Sequence, residues 1–252
     1  MSRFARRLQQ AAPGITSSNR MPVGNLPGWT QVVAEDFIHP TALGAFPDSY
    51  YWGKVFPYNT GSHDTSGRGT NDASKVYSAH DSYLDTWLHT ESGVHYIGEA
   101  VPTNPNTGWG QLYGRFSIRM KCEATDGYKI AYMLWPDSDV WTDGEVDFPE
   151  VNILAASEQI GINIYDGGWT NHATGVELCD GNFHTFTVEW VPGRLTFFID
   201  GVQNFTTTAR VPTTSHHFIM QSETVIDTSY PVPNAAAGHI LVDWMCIWEY
   251  TP

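Results

Sequence analysis

Basic residues are scarce in this 252-residue chain: 13 Lys and Arg stand against 27 Asp and Glu, a formal net charge of −14. Four of the 13 (Arg3, Arg6, Arg7 and Arg20) fall in the first 20 residues, which hold no acid, so the remainder carries 9 basic against 27 acidic groups. A body that acidic repels phosphate, which excludes nucleic acid as a partner and makes an anionic membrane surface a poor one. Long apolar runs are missing as well. No window approaches the ~18 residues needed to span a bilayer, so membrane insertion is not expected. The charged N-terminus is followed by no apolar h-region, and no signal peptide is visible. Cysteine is limited to Cys122, Cys179 and Cys246, without CxxC or Cys/His ligand spacing, and the 10 His include no HExxH, so a zinc site is not expected. The odd cysteine count leaves one disulfide plus a free thiol, or three buried free thiols; the second is the expectation.

Aromatic residues, by contrast, are plentiful. Ten Trp, 12 Tyr and 12 Phe exclude a solvated, disordered chain. The length fits one large domain, with residues 1–25 read as a flexible arm and 26–252 as a single folded unit. From Trp29 onward, short runs rich in Val, Ile, Thr, Phe and Tyr alternate with Gly, Pro, Asn and Asp clusters, the pattern of strands and turns. Leu112–Lys121, Phe183–Val191, Leu195–Ile199 and Ile240–Glu249 are the clearest strands. Asp200-Gly201 is a hairpin-turn pair, because both central residues of such a turn need positive φ. Pro192-Gly193 marks the turn before it, so 183–205 reads as three successive antiparallel strands. Loops at Pro57–Ser74, Val101–Gly110 and Thr224–Gly238 are long. Many strands, long loops and one core indicate an all-β sandwich of two antiparallel sheets, of jelly-roll type.

The chemistry concentrates in Thr142–Asn152, TDGEVDFPEVN. On a strand, Glu145 and Asp147 share a face because side chains alternate. Strict alternation would send Glu150 to the other side. A bulge absorbing one residue between Asp147 and Glu150 brings it back, and Pro149, with no N–H to give to a ladder, suits a bulge. Two carboxyl groups about 5–5.5 Å apart serve a retaining glycosidase as nucleophile and acid/base. A third acid between them can hold a shared proton and separate their pKa values. A solvated acidic strand or a calcium loop is the plain alternative, but Phe148-Pro149 breaks the spacing of an EF-hand-type loop. Trp135 and Trp141 flank the motif and offer indole faces to sugar rings. His216 and His217 are adjacent on a strand, so they face opposite ways and cannot share a metal.

With these residues in hand, the sequence resembles glycoside hydrolase family 16, the laminarinase/lichenase group of β-glucanases. Glu145-Val-Asp147-Phe-Pro-Glu150, preceded by Gly144, matches that family's E-x-D-x-x-E signature. VAEDF (33–37), YGRFSIRMK (113–121), FHTFTVEW (183–190), RLTFFIDG (194–201) and VDWMCIWEY (242–250) agree in order and spacing. MLWPDS…DGEVDFPE and HHFIMQSET are most similar to a bacterial, largely actinobacterial, branch. The resemblance implies a jelly roll with a concave substrate cleft. It also implies Glu145 as nucleophile, Glu150 as general acid/base and Asp147 as the assisting carboxylate. Trp141 matches a tryptophan that packs against the sugar beside the cleaved bond. Trp190, Gln221 and Glu223 are further candidates for the cleft wall. Departures are the Met133 that stands where relatives have a Trp, with Trp135 one strand period on, and the absence of a His in GINIYDG (161–167), where Tyr165 is the substitute. Asp243 matches a ligand of a structural calcium on the convex side, with Glu35 as its neighbour; no cofactor is otherwise implied.

The expectation is therefore an endo-acting, retaining hydrolase of β-1,3- or mixed β-1,3-1,4-linked glucan, monomeric and extracellular or at the cell surface. The shortage of Lys and Arg favours neutral glucans over sulfated galactans. The same carboxylates would serve a transglycosylase. A carbohydrate-binding jelly roll without catalysis, and a structural surface component, are the readings from other classes.

Overall fold

The computed structural model describes residues 20–155 and 158–252, and residues 1–19 of the expected arm lie outside them. Strand order along the chain is β1 (Trp29–Glu35), β2 (Val55–Pro57), β3 (Gly69–Asn71), β4 (Tyr77–His80), β5 (Tyr83–Glu91), β6 (Val94–Ile97) and β7 (Glu99–Pro102). The long strands β8 (Gly114–Cys122), β9 (Tyr128–Pro136) and β10 (Glu145–Asn152) follow, then β11 (Gln159–Tyr165) and β12 (Trp169–Glu177). The chain closes with β13 (His184–Val191), β14 (Arg194–Ile199), β15 (Val202–Thr207), β16 (His216–Thr224) and β17 (Ala237–Tyr250). One sheet runs β15-β14-β13-β8-β17-β5-β6-β3, with β1 added on β17 and β4 on β5; the other runs β12-β11-β10-β9-β16-β7-β2. All ladders are antiparallel except β3 with β6. This is the two-sheet sandwich expected. The β13–β14–β15 meander turns where anticipated, with Asp200 at φ 51° and Gly201 at φ 80°.

Period-two alternation decides which side of each strand is buried. Ile118 and Met120 on β8, with Phe186 and Val188 on β13, face Tyr132 and Leu134 on β9 across the sandwich. Phe148 sits at the centre, edge-on to Phe186 and Phe197 at ring-centroid distances of 5.4 and 5.3 Å. A register shift between Val242 and Trp244 of β17 moves its inward parity from Ile240 and Val242 to Met245 and Ile247. Trp244, Cys246 and Trp248 consequently point outward, where Met21, Leu26 and Trp29 cover them. Trp248 Nε1 donates to the Gly24 carbonyl at 3.0 Å, and Gln31 Nε2 to that of Pro22 at 3.0 Å. Residues 21–25 are thus held on the body rather than belonging to a flexible arm, because two outward tryptophans need an apolar cover.

The expectation of three free thiols is corrected. Cys122, at the end of β8, is bonded to Cys179, just after β12, with a Cα–Cα distance of 5.1 Å across a sequence separation of 57 residues. The bond ties one sheet to the other. Cys246 remains a free, buried thiol.

Candidate active site

On β10 the even residues Val146 and Phe148 enter the core, so Glu145 and Asp147 lie on the opposite, outer face of the seven-stranded sheet. The register then changes. Asp147 faces Met133 of β9 and Asn163 of β11, whereas Glu150 faces Ala131 and Gly161. Three residues on β10 therefore span two on each neighbour, and the surplus is absorbed at Phe148-Pro149, whose peptide bond is cis. This bulge returns Glu150 to the face of Glu145 and Asp147 and sends Val151 into the core. Gly144 makes the entry to the strand possible. It has φ 118°, and a Cβ there would meet Pro212 at 2.8 Å.

The three carboxyl groups sit in different surroundings. Asp147 is 2% exposed; burial first, then the charges of Glu145 and Glu150, hold its pKa well above the ordinary range. The same surroundings favour its neutral form, and a hydrogen bond between Asp147 and Glu145 favours the charge on Glu145. Burial also raises the pKa of Glu145, against the pull of hydrogen bonds from Trp141 and Asp147. Glu150 accepts from Lys129 Nζ at 2.5 Å and from the Asn163 side-chain amide through its other oxygen. A cavity of about 410 Å3 opens beside it, lined by Lys129, Asn163, Gly161 and Asp227 among others.

Aromatic rings continue the face on both sides of the carboxylates. Trp141, in a single 3-10 turn (Trp141–Asp143), stacks on Tyr165 at 3.9 Å between centroids. Trp169 of β12 lies next, 5.0 Å from Tyr165, and both tryptophans are exposed. On the other side, Trp135 packs on the apolar floor of Val101, Ala131, Met133 and Ile219 and donates to Asp139 at 2.8 Å. His217, opposite Trp135 in register, is 4.9 Å from the ring of Trp109. Phe56 and the exposed Trp52 extend the series.

Sequence comparison identifies what this face belongs to. The profile of Glycosyl hydrolases family 16 matches residues 74–245. The chain belongs to that family. A beta-glucanase of Bacillus subtilis (strain 168) is 25% identical over 114 residues, covering 43% of this chain and 46% of the relative. A beta-glucanase of Paenibacillus polymyxa is 22% identical over 197 residues, covering 71% and 78%. The chain thus matches about half the length of the first and over three quarters of the second. Among solved structures, a non-specific endo-beta-1,3(4)-glucanase of the same family superposes with a TM-score of 0.72 at 16% identity, covering 91% of this chain and 94% of that one. At that identity the likeness is one of fold.

Within the family 16 framework, the other expected site residues fare unequally. Trp190 is fully buried; its indole donates to the Pro212 carbonyl at 3.0 Å and its ring meets Tyr113 and His216. It is core, not cleft wall, because its parity on β13 matches that of Val188. Gln221 is half-buried on the outer face of β16. Glu223 shares that face but is 1% exposed and pairs with Lys129 at 3.3 Å. Tyr165 supports Trp141; it is Asn163, one period earlier on β11, that reaches Glu150. His216 and His217 do face opposite ways, the first to the Gly144 carbonyl and the second to Asp137.

The side chains at Asp243 do not fit a cation. Arg119 Nη1 donates to its Oδ2 at 3.3 Å, and a guanidinium there competes with a metal. Glu35 faces Met245 in register and accepts from the Phe37 N–H. Among the described residues no group of three or more His, Cys, Asp or Glu is arranged to hold a metal.

Proposed function

We propose that this chain is a retaining, endo-acting hydrolase of a β-1,3-linked or mixed β-1,3-1,4-linked glucan. The observation that carries the reading is the bulge that aligns Glu145, Asp147 and Glu150 on one open sheet face. Glu145 acts as nucleophile and Glu150 as acid/base, as the match of Glu145-Val-Asp147-Phe-Pro-Glu150 to the family signature implies. In the first step Glu150 gives its proton to the glycosidic oxygen while a Glu145 oxygen bonds to the anomeric carbon and the leaving group departs. In the second, ionised Glu150 takes a proton from water, whose oxygen attacks the same carbon and releases Glu145. Asp147, protonated, steadies the Glu145 carboxylate whenever it is free. The indole N–H of Trp141 does the same from the solvent side.

Rings on both sides of the carboxylates support cleavage within a chain rather than from its end. Neighbouring strands are about 4.8 Å apart, so the seven strands from β12 to β2 leave room for several sugar units crossing them. The Cys122–Cys179 bond supports an oxidising, extracellular setting. With both glutamates present and aligned, a purely lectin-like role has no observation in its favour.

The test is reducing-sugar release from laminarin, lichenan, barley β-glucan, agarose and κ-carrageenan, with Glu145→Gln and Glu150→Gln as controls. Release from a β-glucan, lost in both variants, with the β-anomer appearing first by proton NMR, is the expected result. An α-anomer as first product would overturn the double displacement, and binding without release would return the lectin-like reading.

A further inference from the structure

The double displacement gives no role to Lys129, although it lies on the same face as the carboxylates. It lies on β9 at the same parity as Ala131, Met133 and Trp135 and is only 5% exposed. An ammonium removed from water costs several kcal/mol unless it is paired, and here it is paired twice. Nζ is 2.5 Å from Glu150 Oε1 and 3.3 Å from Glu223 Oε1. Burial works against its charge, yet Glu150 and Glu223 outweigh burial and hold its pKa above the ordinary lysine value. Glu223 in turn has no second cation among the described residues, and its Oε2 is buried without a hydrogen-bond partner.

The surroundings are otherwise acidic or neutral. Asp147 and Glu145 face the pair from β10, and Asn163 faces it from β11. From β7, Glu99 acts on Glu223. Glu158 and Asp227 border the cavity beside Glu150. Lys129 is therefore a single positive charge between two carboxylates that compete for it.

We propose that Lys129 is a positioning residue for Glu150, an internal ammonium shared with Glu223 that stabilises the charge Glu150 acquires when it gives up its proton. The proposal rests on the reading of Glu150 as acid/base. While Glu150 is protonated, Lys129 remains held by Glu223. As the proton passes to the glycosidic oxygen, negative charge grows at Oε1, where the ammonium is already in place and no solvent need reorganise. Asn163 fixes the other oxygen, so the carboxyl keeps its orientation through both steps. Glu223 is the counterweight: it weakens the hold of Lys129 on Glu150 enough for Glu150 to recover a proton from water.

Two neighbours of Glu150 should then shift its titration in opposite directions. Glutamate-selective 13C labelling follows the Glu150 carboxyl directly, with Glu150→Gln for assignment, and the alkaline limb of kcat/KM follows it through the reaction. Lys129→Met should raise both midpoints by about one pH unit or more, and Glu223→Gln should lower both. Lys129→Arg should restore the wild-type limb to within a few tenths of a unit. If Lys129→Met does not fold, Lys129→Met/Glu223→Gln removes the pair together and should still raise the Glu150 midpoint. A Glu150 titration that is unmoved, or that moves the same way in both single variants, overturns the proposal. A titration that moves as expected while the alkaline limb stays fixed upholds the hold of Lys129 on Glu150 and overturns Glu150 as the acid.

Discussion

Trp141 donates its indole N–H to the Glu145 carboxylate at 2.5 Å, while its ring lies parallel to that of Tyr165 at 3.9 Å between centroids. One side chain thus links the proposed nucleophile to the aromatic side of the cleft. The hydrogen bond favours ionised Glu145 and opposes the rise that burial causes. Trp141→Phe keeps a ring for Tyr165 but removes the donor. Its kcat/KM should fall about 10- to 100-fold, the range for a hydrogen bond to a charged group. The acidic limb of the rate profile should move to higher pH, since the nucleophile then ionises later. A fall in rate with the limb unmoved would mean that the indole serves the sugar and not Glu145.

Glu99 should make stability depend on pH. Burial, reinforced by Glu223, raises its pKa to about 8, whereas in the unfolded chain it titrates near the ordinary glutamate value. The folded state therefore holds a proton that the unfolded state releases. This group's contribution is intact below about pH 4 and is lost progressively up to about pH 8, above which the loss is constant. Glu99→Gln should gain on the wild type across that window, by up to a few kcal/mol. Urea melts of both proteins at pH 4, 6 and 8 check this, and equal differences at all three would refute it.

Much of this was legible in the sequence because strands obey a simple parity. Glu145 and Asp147 share a face by strand alternation alone, and Pro149 marks where the surplus residue has to go before Glu150 can join them. Parity, however, gives the side of a strand and not what covers it. Glu223 sits where packing between strands, not spacing, decides exposure, whereas Trp190 shares the inward parity of Phe186 and Val188 on β13. Lys129 and Asn163 had the right parity to be found, six residues before Trp135 and two before Tyr165. What was lacking was register: only the pairing of β9, β10 and β11 brings their side chains to Glu150. The disulfide was hidden for the same reason, since nothing local relates Cys122 to Cys179.

That disulfide closes a long loop, and its loss should act mainly through the unfolded chain. With the cysteines 57 residues apart, loop-closure entropy amounts to about 4 kcal/mol. Cys122→Ala/Cys179→Ala should lower stability by a value of that order while leaving substrate KM unchanged, because neither cysteine lines the cleft. Denaturant melts of the double variant, beside reduced wild type, measure it. A loss below about 1 kcal/mol would show that the sheets are held together without the bond.

The aromatic series gives a prediction about substrate length. Trp169 lies beyond Tyr165 on one side of the carboxylates, and Trp109 lies beyond His217 on the other. If each ring stacks on a sugar remote from the cleaved bond, Trp109→Ala and Trp169→Ala should each raise KM several-fold on polymeric glucan. Neither should change kcat/KM on the shortest oligosaccharide cleaved, which cannot reach both rings. Stacking on an aromatic face depends on apolar contact, so the loss should be insensitive to salt. Oligosaccharides of increasing length, compared in both variants, locate the subsite each ring serves. A penalty that is the same at every length would mean that the rings support the loops instead, and a penalty on one side only would favour attack from a chain end over attack within the chain.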